Sequence, residues 1–237
     1  MYKPVKMFIG YDHIDTALIK AYSVCKYSIK KHSDIEVEPI ILPELQKKGY
    51  YWRNWHHGKQ ASDFTYTRFL APFLKGFYGY AIFCDADFVW NCDPMEMFDF
   101  VNPANAVTCV KHPFSPWEPP KGIHLQTNQP RRAYHRKNWG SMMIFNCEHE
   151  YCKQLTPKFV NDHHTHPNVL LDLWWAKDAI GNLPHTYNYL VSYYHDIPNP
   201  KAIHYTEGGP WWKYAENVEF ADVWNNYYNE FIADGVI

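Results

Sequence analysis

The segment YAIFCDADFVWNCDP constrains the fold more than any other stretch of this chain. Tyr80 to Cys84 is a near-continuous apolar run, which is how a central strand buried on both faces reads. It leads straight into Asp85 and Asp87, so that strand must deliver two carboxylates at its carboxyl end. In extended geometry positions i and i+2 point to the same side. Carboxylates held that close repel unless a cation lies between or beside them, and hard oxygen ligands favour magnesium or manganese over zinc. Two hydrated aspartates at a strand end are the plain alternative, because D-x-D recurs by chance.

The surrounding pattern alternates short strands with amphipathic helices, as expected of an α/β sandwich. Val5 to Ile9 reads as a strand and Gly10 to His13 as a turn. Leu18, Ala21, Cys25 and Ile29 then recur at helical spacing up to Lys30, Lys31 and His32, and Glu36 to Leu42 follows as a second strand. This β-α-β start puts the Gly10 to His13 turn at the carboxyl end of the first strand, where open α/β sheets bind ligands. From Pro43 to Ala61 the chain is polar and aromatic, too irregular for a regular element, and reads as a lid or acceptor loop. Ser62 or Asp63 can cap a helix presenting Tyr66, Phe69, Leu70 and Phe73, which Pro72 should kink or end. Further strands are expected at Ala106 to Lys111, Met142 to Asn146 and Lys201 to Tyr205. Helices are expected at Val169 to Ile180, closed by Gly181, and from Trp211 or later to Phe231.

Composition narrows the function classes. A chain of 237 residues fits one α/β domain spanning residues 1–237. Lys plus Arg number 23 against 25 Asp plus Glu, a near balance that argues against general nucleic-acid affinity or attraction to an anionic membrane. No run approaches the ~20 apolar residues of a membrane span, and Asp12 interrupts the N-terminus before a signal core can form, so a cytoplasmic, unprocessed protein is expected. Cys25, Cys84, Cys92, Cys109, Cys147 and Cys152 show no C-x-x-C spacing and read as reduced structural thiols. His163, His164 and His166 raise a metal question, but HHTH lacks the helical or knuckle spacing of a zinc site.

Several motifs carry a family resemblance. SDFTYTRFLAPFL followed by YAIFCDADFVW resembles the helix and D-x-D strand of the glycosyltransferase A fold, and of the family-eight retaining enzymes related to glycogenin and bacterial galactosyltransferases. IGYDHIDTALIKAYSVCKYSI resembles their first strand and helix, and RKNWGSMMIFNC the strand that lines the donor sugar. GNLPHTYN resembles their Leu-Pro-x-x-Tyr-Asn turn, and HYTEGGPWW their C-terminal His-Tyr-x-Gly-x-x-Pro-Trp segment. The likeness spans residues 5 to 214 in the family's order. It implies a Rossmann-like mixed sheet flanked by helices, a UDP-sugar donor, a carbohydrate or other hydroxyl acceptor, and hexosyl transfer with retention.

The resemblance further implies that Asp85 and Asp87 bind Mn2+ (or Mg2+), with His204 as third ligand, a role open to a neutral imidazole. It assigns the nucleoside to Ile9, Gly10, Tyr11 and Asp12, with Gly208 in the C-terminal nucleotide-binding segment. Asp12 also fits a tight β-α turn favoured by the helix dipole. Arg68 could meet the donor's phosphate or sugar hydroxyls, or form a surface ion pair. Lys137, Asn138 and Ser141 precede a strand buried on both faces, so their polar groups would face the cleft, Asn138 ranking above Lys137 for sugar contact. The family's Asp-Gln acceptor-side pair is not evident, and Asp172 is the candidate in its place. Two departures stand out: Gly209 occupies the place of a diphosphate-binding lysine, with Lys213 beyond it, and Trp139 occupies the place of the sugar-strand asparagine.

Two rivals come from other classes. DADFV also matches the D-x-D-x-[TV] motif of haloacid-dehalogenase-like phosphatases, with Asp85 as nucleophile. That motif normally ends the first strand, and here a complete β-α-β unit precedes it. A lectin-like module using Trp52, Trp55, Trp117, Trp211 and Trp212 accounts for the aromatics but not for the D-x-D strand.

Overall fold

The computed structural model describes residues 3–12, 15–53, 62–114, 135–136, 138–162, 164 and 167–235. The first half contains β1 (Val5–Tyr11), α1 (Thr16–His32), β2 (Val37–Ile41), α2 (Leu42–Lys47), α3 (Phe64–Thr67), α4 (Ala71–Leu74), β3 (Tyr80–Cys84), β4 (Phe88–Trp90) and β5 (Val107–Cys109). The second contains β6 (Met142–Asn146), α5 (Glu150–Lys153), α6 (Pro157–Asn161), α7 (Pro167–Leu171), β7 (Ile180–Asn182), β8 (Tyr189–Leu190), β9 (Ala202–His204) and α8 (Ala221–Ala233). Six strands form a mixed sheet in the order β2-β1-β3-β6-β5-β7, and β4-β9-β8 form a smaller one. Only β6 runs against its neighbours in the main sheet, so its start lies at the edge where β1, β3 and β5 end.

Strict alternation explains why β3 is apolar throughout. Ala81 and Phe83 pack with Phe8, Met143 and Phe145 beneath Phe64, Phe69 and Leu70. Ile82 and Cys84 pack on the opposite face with Met7, Ile9, Met142 and Ile144 against Cys25 and Ile29 of α1. Both faces are covered, and no position is left for a polar residue until the strand ends. On its far side α1 meets α8 and the small sheet through Val24, Val89, Ile203 and Trp224.

Several expectations change. Leu42–Lys47 is a helix rather than irregular chain, with Pro43 in its first turn and Glu44 beside the helix N-terminus, two features that favour a helix start. The helix expected after Ser62 or Asp63 comes in three pieces. Pro72 has no N–H to give the Arg68 carbonyl, and that carbonyl is taken by the Ala71 N–H in a 3-10 turn over Arg68–Leu70. The helix expected over Val169 to Ile180 stops near Leu171. Leu173 turns left-handed at φ 54, a 3-10 turn covers Trp174–Ala176, and Gly181 lies inside β7 instead of closing a helix. A Cβ on Gly181 would lie 2.6 Å from both Asn105 Nδ2 and Thr108 Oγ1, so the glycine lets β7 approach β5.

All six cysteines are buried and unpaired. Among the described residues no helix is long and apolar enough to cross a membrane.

Candidate functional site

Asp85, Ala86 and Asp87 are the link by which the chain leaves the main sheet after β3 and enters the small sheet at β4. The pair is therefore held by a turn, not by the extended strand expected from its spacing. Backbone bonds fix both ends: Asp85 N–H donates to Ser141 O at 2.8 Å, and Tyr205 N–H donates to Asp87 O at 3.0 Å. β9 pairs with β4 in the register Phe88↔His204, which lays the imidazole against the Phe88 ring at 4.3 Å and brings His204 to the aspartates. One ligand atom from each of Asp85, Asp87 and His204 lies within 4.8 Å of the others.

The proton on His204 is placed by a chain of hydrogen bonds. Ser141 Oγ–H donates to Asn138 O at 2.6 Å, so Ser141 Oγ accepts from Asn188 Nδ2 at 2.9 Å. With its amide nitrogen so committed, Asn188 turns Oδ1 to His204 Nδ1 at 2.9 Å, and Nδ1 must donate. Nε2 then presents its lone pair toward Asp87 Oδ1, 3.3 Å away. Two acceptors face each other, an arrangement that calls for a proton or a metal cation between them. Asp87 Oδ1 is buried without a hydrogen-bond partner, and Asp85 Oδ1 is buried with the Arg68 guanidinium alongside in place of an aligned hydrogen bond. Two oxygens and one imidazole nitrogen form a donor set that suits manganese or magnesium.

Arg68 stands beside this pair rather than on the surface. Its Nε donates to Phe64 O at 3.0 Å and its Nη1 to Gly140 O at 2.6 Å, and Nη1 lies 3.1 Å from Asp85 Oδ1. Burial nevertheless dominates at Asp85 and pushes its carboxyl up to about 7, against the lowering effect of Arg68; Asp87 raises it further and His204 opposes.

Two more buried polar atoms without partners belong to this edge, Asn138 Nδ2 and His112 Nε2. Asn138 sits at φ 62 ahead of the 3-10 turn entering β6. His112 follows β5; its Nδ1 is 3.0 Å from Tyr194 Oη, and its carbonyl accepts from Trp139 Nε1 at 3.1 Å. Burial lowers its imidazole to about 3 and keeps it neutral. His112 and Asn188 did not stand out in the sequence. Only the last residue of GNLPHTYN pointed toward Asn188, and His112 carried no signal.

The remaining candidates are placed as follows. Ile9 is buried in the β1 core, and Tyr11 packs edge-on against Tyr22 at 4.8 Å. Asp12 is half-buried directly after β1, and Asp15 caps α1 by accepting from Ala17 N at 2.8 Å. Asp172 is fully buried as a clamp: its Oδ1 accepts from Arg136 N at 2.9 Å, and its backbone carbonyl accepts from Arg136 Nη1 at 2.7 Å. Gly208 has φ 114 and packs under Trp212 and Tyr214, while Lys213 is exposed on the following 3-10 turn. Lys137, His163, His166, Trp55 and Trp117 lie outside the described residues.

Gly10 owes its identity to packing. A Cβ there would lie 2.5–2.9 Å from Phe64, whose carbonyl holds Arg68. Gly10→Ala is expected to cost about 1–3 kcal/mol in urea unfolding through overpacking, and to disturb Arg68 with it. An unchanged unfolding midpoint would show that Phe64 yields freely.

No family model matches the chain. Protein CDI of Arabidopsis thaliana is 38% identical over 239 residues, covering 97% of this chain and 88% of that protein. Among solved structures, the glycosyltransferase GlyE of Streptococcus pneumoniae superposes with a TM-score of 0.58 at 15% identity, over all of this chain and 64% of GlyE. The bifunctional glycosyltransferase WbbM superposes at 0.60 with 17% identity, over 96% of this chain and 50% of WbbM. The galactosyltransferase LgtC, bound to donor and acceptor sugar analogues, superposes at 0.52 with 12% identity over 95% of each chain. The chain thus spans less than two thirds of the first two structures. The central mixed sheet with helices on both faces is a glycosyltransferase A-type fold, and the chain belongs to the family of Arabidopsis thaliana Protein CDI.

Proposed function

We propose that this protein is a metal-dependent glycosyltransferase that moves a hexose from a nucleotide-sugar, a UDP-sugar by the motif resemblance, onto a hydroxyl acceptor with retention. One observation carries the reading. Two buried carboxylate oxygens, Asp87 Oδ1 without a hydrogen-bond partner and Asp85 Oδ1 beside the Arg68 guanidinium, converge with the lone pair of a histidine whose other nitrogen is tied down, at the ligand-binding edge of an A-type sheet. Solved structures of similar fold include LgtC with donor and acceptor sugar analogues, which supports the same reading. The phosphatase alternative is less favoured, since the aspartates follow a complete β-α-β unit and, among the described residues, converge with a histidine.

In this reading Asp85, Asp87 and His204 hold Mn2+ or Mg2+. The cation would supply Lewis-acid stabilisation of the departing diphosphate. Arg68, locked to Gly140 and adjacent to Asp85, adds permanent positive charge at the same place. Gly10, Tyr11 and Asp12 border the nucleoside side, and Gly208 closes it from the C-terminal segment. Asn138 Nδ2 and His112 Nε2 meet sugar hydroxyls, which would satisfy both buried atoms. His112, neutral and buried, acts as a hydrogen-bonding group rather than as a charge. Attack of the acceptor on the leaving-group face would give retention without an enzyme nucleophile. We treat residues 1–237 as a single catalytic domain. The unpaired buried thiols fit a reducing, cytoplasmic setting.

Calorimetric titration with UDP and a panel of nucleotide-sugars is the direct test. Binding of one donor in manganese and its loss in chelator are expected. Absence of nucleotide binding in both conditions overturns the reading.

A further inference from the structure

Trp52 is 54% exposed while its neighbour Tyr51 is buried, and the pocket it lines includes none of Asp85, Asp87 and His204. Its backbone is held firmly. Trp52 N–H donates to Asn161 Oδ1 at 2.6 Å, and Asn161 Nδ2 donates to Tyr50 O at 2.9 Å and Pro157 O at 2.7 Å. Arg53 anchors the next residue through Nη1 to Val160 O at 2.8 Å, its guanidinium lying over the Tyr66 ring at 4.9 Å. A buried asparagine and a buried arginine thus fix the strand of chain from which an indole is displayed to solvent.

The indole lines an open pocket of about 610 Å³ together with Gln154, Thr156, Lys158, Phe159 and Asp162. That volume lies within the range of small-ligand sites, ~300–1,000 Å³. Among the described residues the exposed side chains of Gln154 and Lys158 make no hydrogen bond or ion pair, so amide and ammonium donors stand beside the aromatic face unspent. Asp162, whose Oδ1 accepts from His164 N–H at 2.9 Å, places a carboxylate on the rim, which disfavours a polyanion. A purely apolar partner would bury Gln154 and Lys158 without compensation. A pyranose answers both conditions, with a C–H face for the indole and a rim of hydroxyls for the amide and the ammonium.

We propose that the Trp52 pocket is a second, non-catalytic carbohydrate site that takes a neutral oligosaccharide by stacking on Trp52. It would hold a glycan near the enzyme independently of metal and nucleotide, and it stands whether or not the transferase reading does.

The test uses the full chain in EDTA, which silences the metal site, with saturation-transfer NMR and calorimetry against neutral gluco-, galacto-, manno- and xylo-oligosaccharides. Millimolar or tighter binding of at least one is expected. Trp52→Ala should weaken it by about tenfold or more, the loss of one stacked ring, while Trp52→Tyr stays within a few-fold and the melting temperature is unchanged in both. Asp85→Ala should bind the oligosaccharide as the unaltered protein does. No binding by any sugar of the panel overturns the proposal, as does binding that survives Trp52→Ala. Binding lost in Asp85→Ala places the sugar at the aspartate site and overturns it as well. Failure of UDP to bind in manganese would count against the transferase reading alone.

Discussion

Asp85→Ala and Asp87→Ala are each expected to lower transferase turnover by at least 10²–10³-fold, because each removes a ligand of the cation that would stabilise the departing diphosphate. Stability should move the other way in the metal-free protein. Asp85 is half-buried beside Asp87 with its Oδ1 inaccessible, and this burial outweighs Arg68, so the folded carboxyl titrates near 7 instead of at the 3.8 of a free aspartate. Between those values the folded chain keeps a proton that the unfolded chain has released. The contribution of Asp85 to stability is therefore fully present below about pH 4 and falls as pH rises through 7, by up to ~1.4 kcal/mol per pH unit across that window. Asp85→Asn cannot ionise and should escape the loss. Thermal melts in EDTA from pH 4 to 8 should thus show the Asn variant gaining on the parent, and manganese should close the gap for the parent alone. Full turnover in both alanine variants would sink the functional reading. Parallel melts of parent and Asn variant would show that water or Arg68 already satisfies the carboxylate.

The same opposition between site and stability explains what could be read from the chain. β3 was legible to the residue because burial on both faces leaves one kind of side chain along it, and its end was marked by the first aspartate. β6 was legible for the same reason. β4 and β8 were not foreseen, being only 3 and 2 residues long; they exist through pairing with β9, a partner more than 100 residues from β4. The helix expected over 169–180 fails because long-range contacts override a local pattern. Asp172 is claimed by Arg136, and Ile180–Asn182 by β5. At the site, the aspartates announced themselves by chemistry. His204 became a candidate ligand through the resemblance alone, since a histidine in KAIHYT is otherwise an ordinary strand residue. Its geometry depends on Asn188, whose contribution is a direction of hydrogen bonding that no spacing reveals.

Asn188 therefore offers the sharper test of how the site is built. It is fully buried, and its side chain hydrogen-bonds to Asn138, Ser141 and His204. Its effect on the site runs through His204, whose proton it draws to Nδ1. Asn188→Asp replaces the amide donor by a second acceptor, so the bond donated to Ser141 Oγ is lost while acceptance from Nδ1–H can remain. Asn188→Leu removes both and frees the imidazole to turn or change tautomer. Outer partners of this kind are worth about 10–100-fold in metal affinity. Manganese affinity, followed by calorimetry or by paramagnetic relaxation of water, is thus expected to fall by that factor in Asn188→Leu and by less in Asn188→Asp. Turnover at saturating metal should recover much of its loss, which separates a positioning residue from a ligand: His204→Ala should not recover on adding metal. Equal metal affinity in Asn188→Leu and the parent would mean that stacking on Phe88, at 4.3 Å and 15°, holds the ring without help. The tautomer argument would then fail while the three-ligand site itself stood.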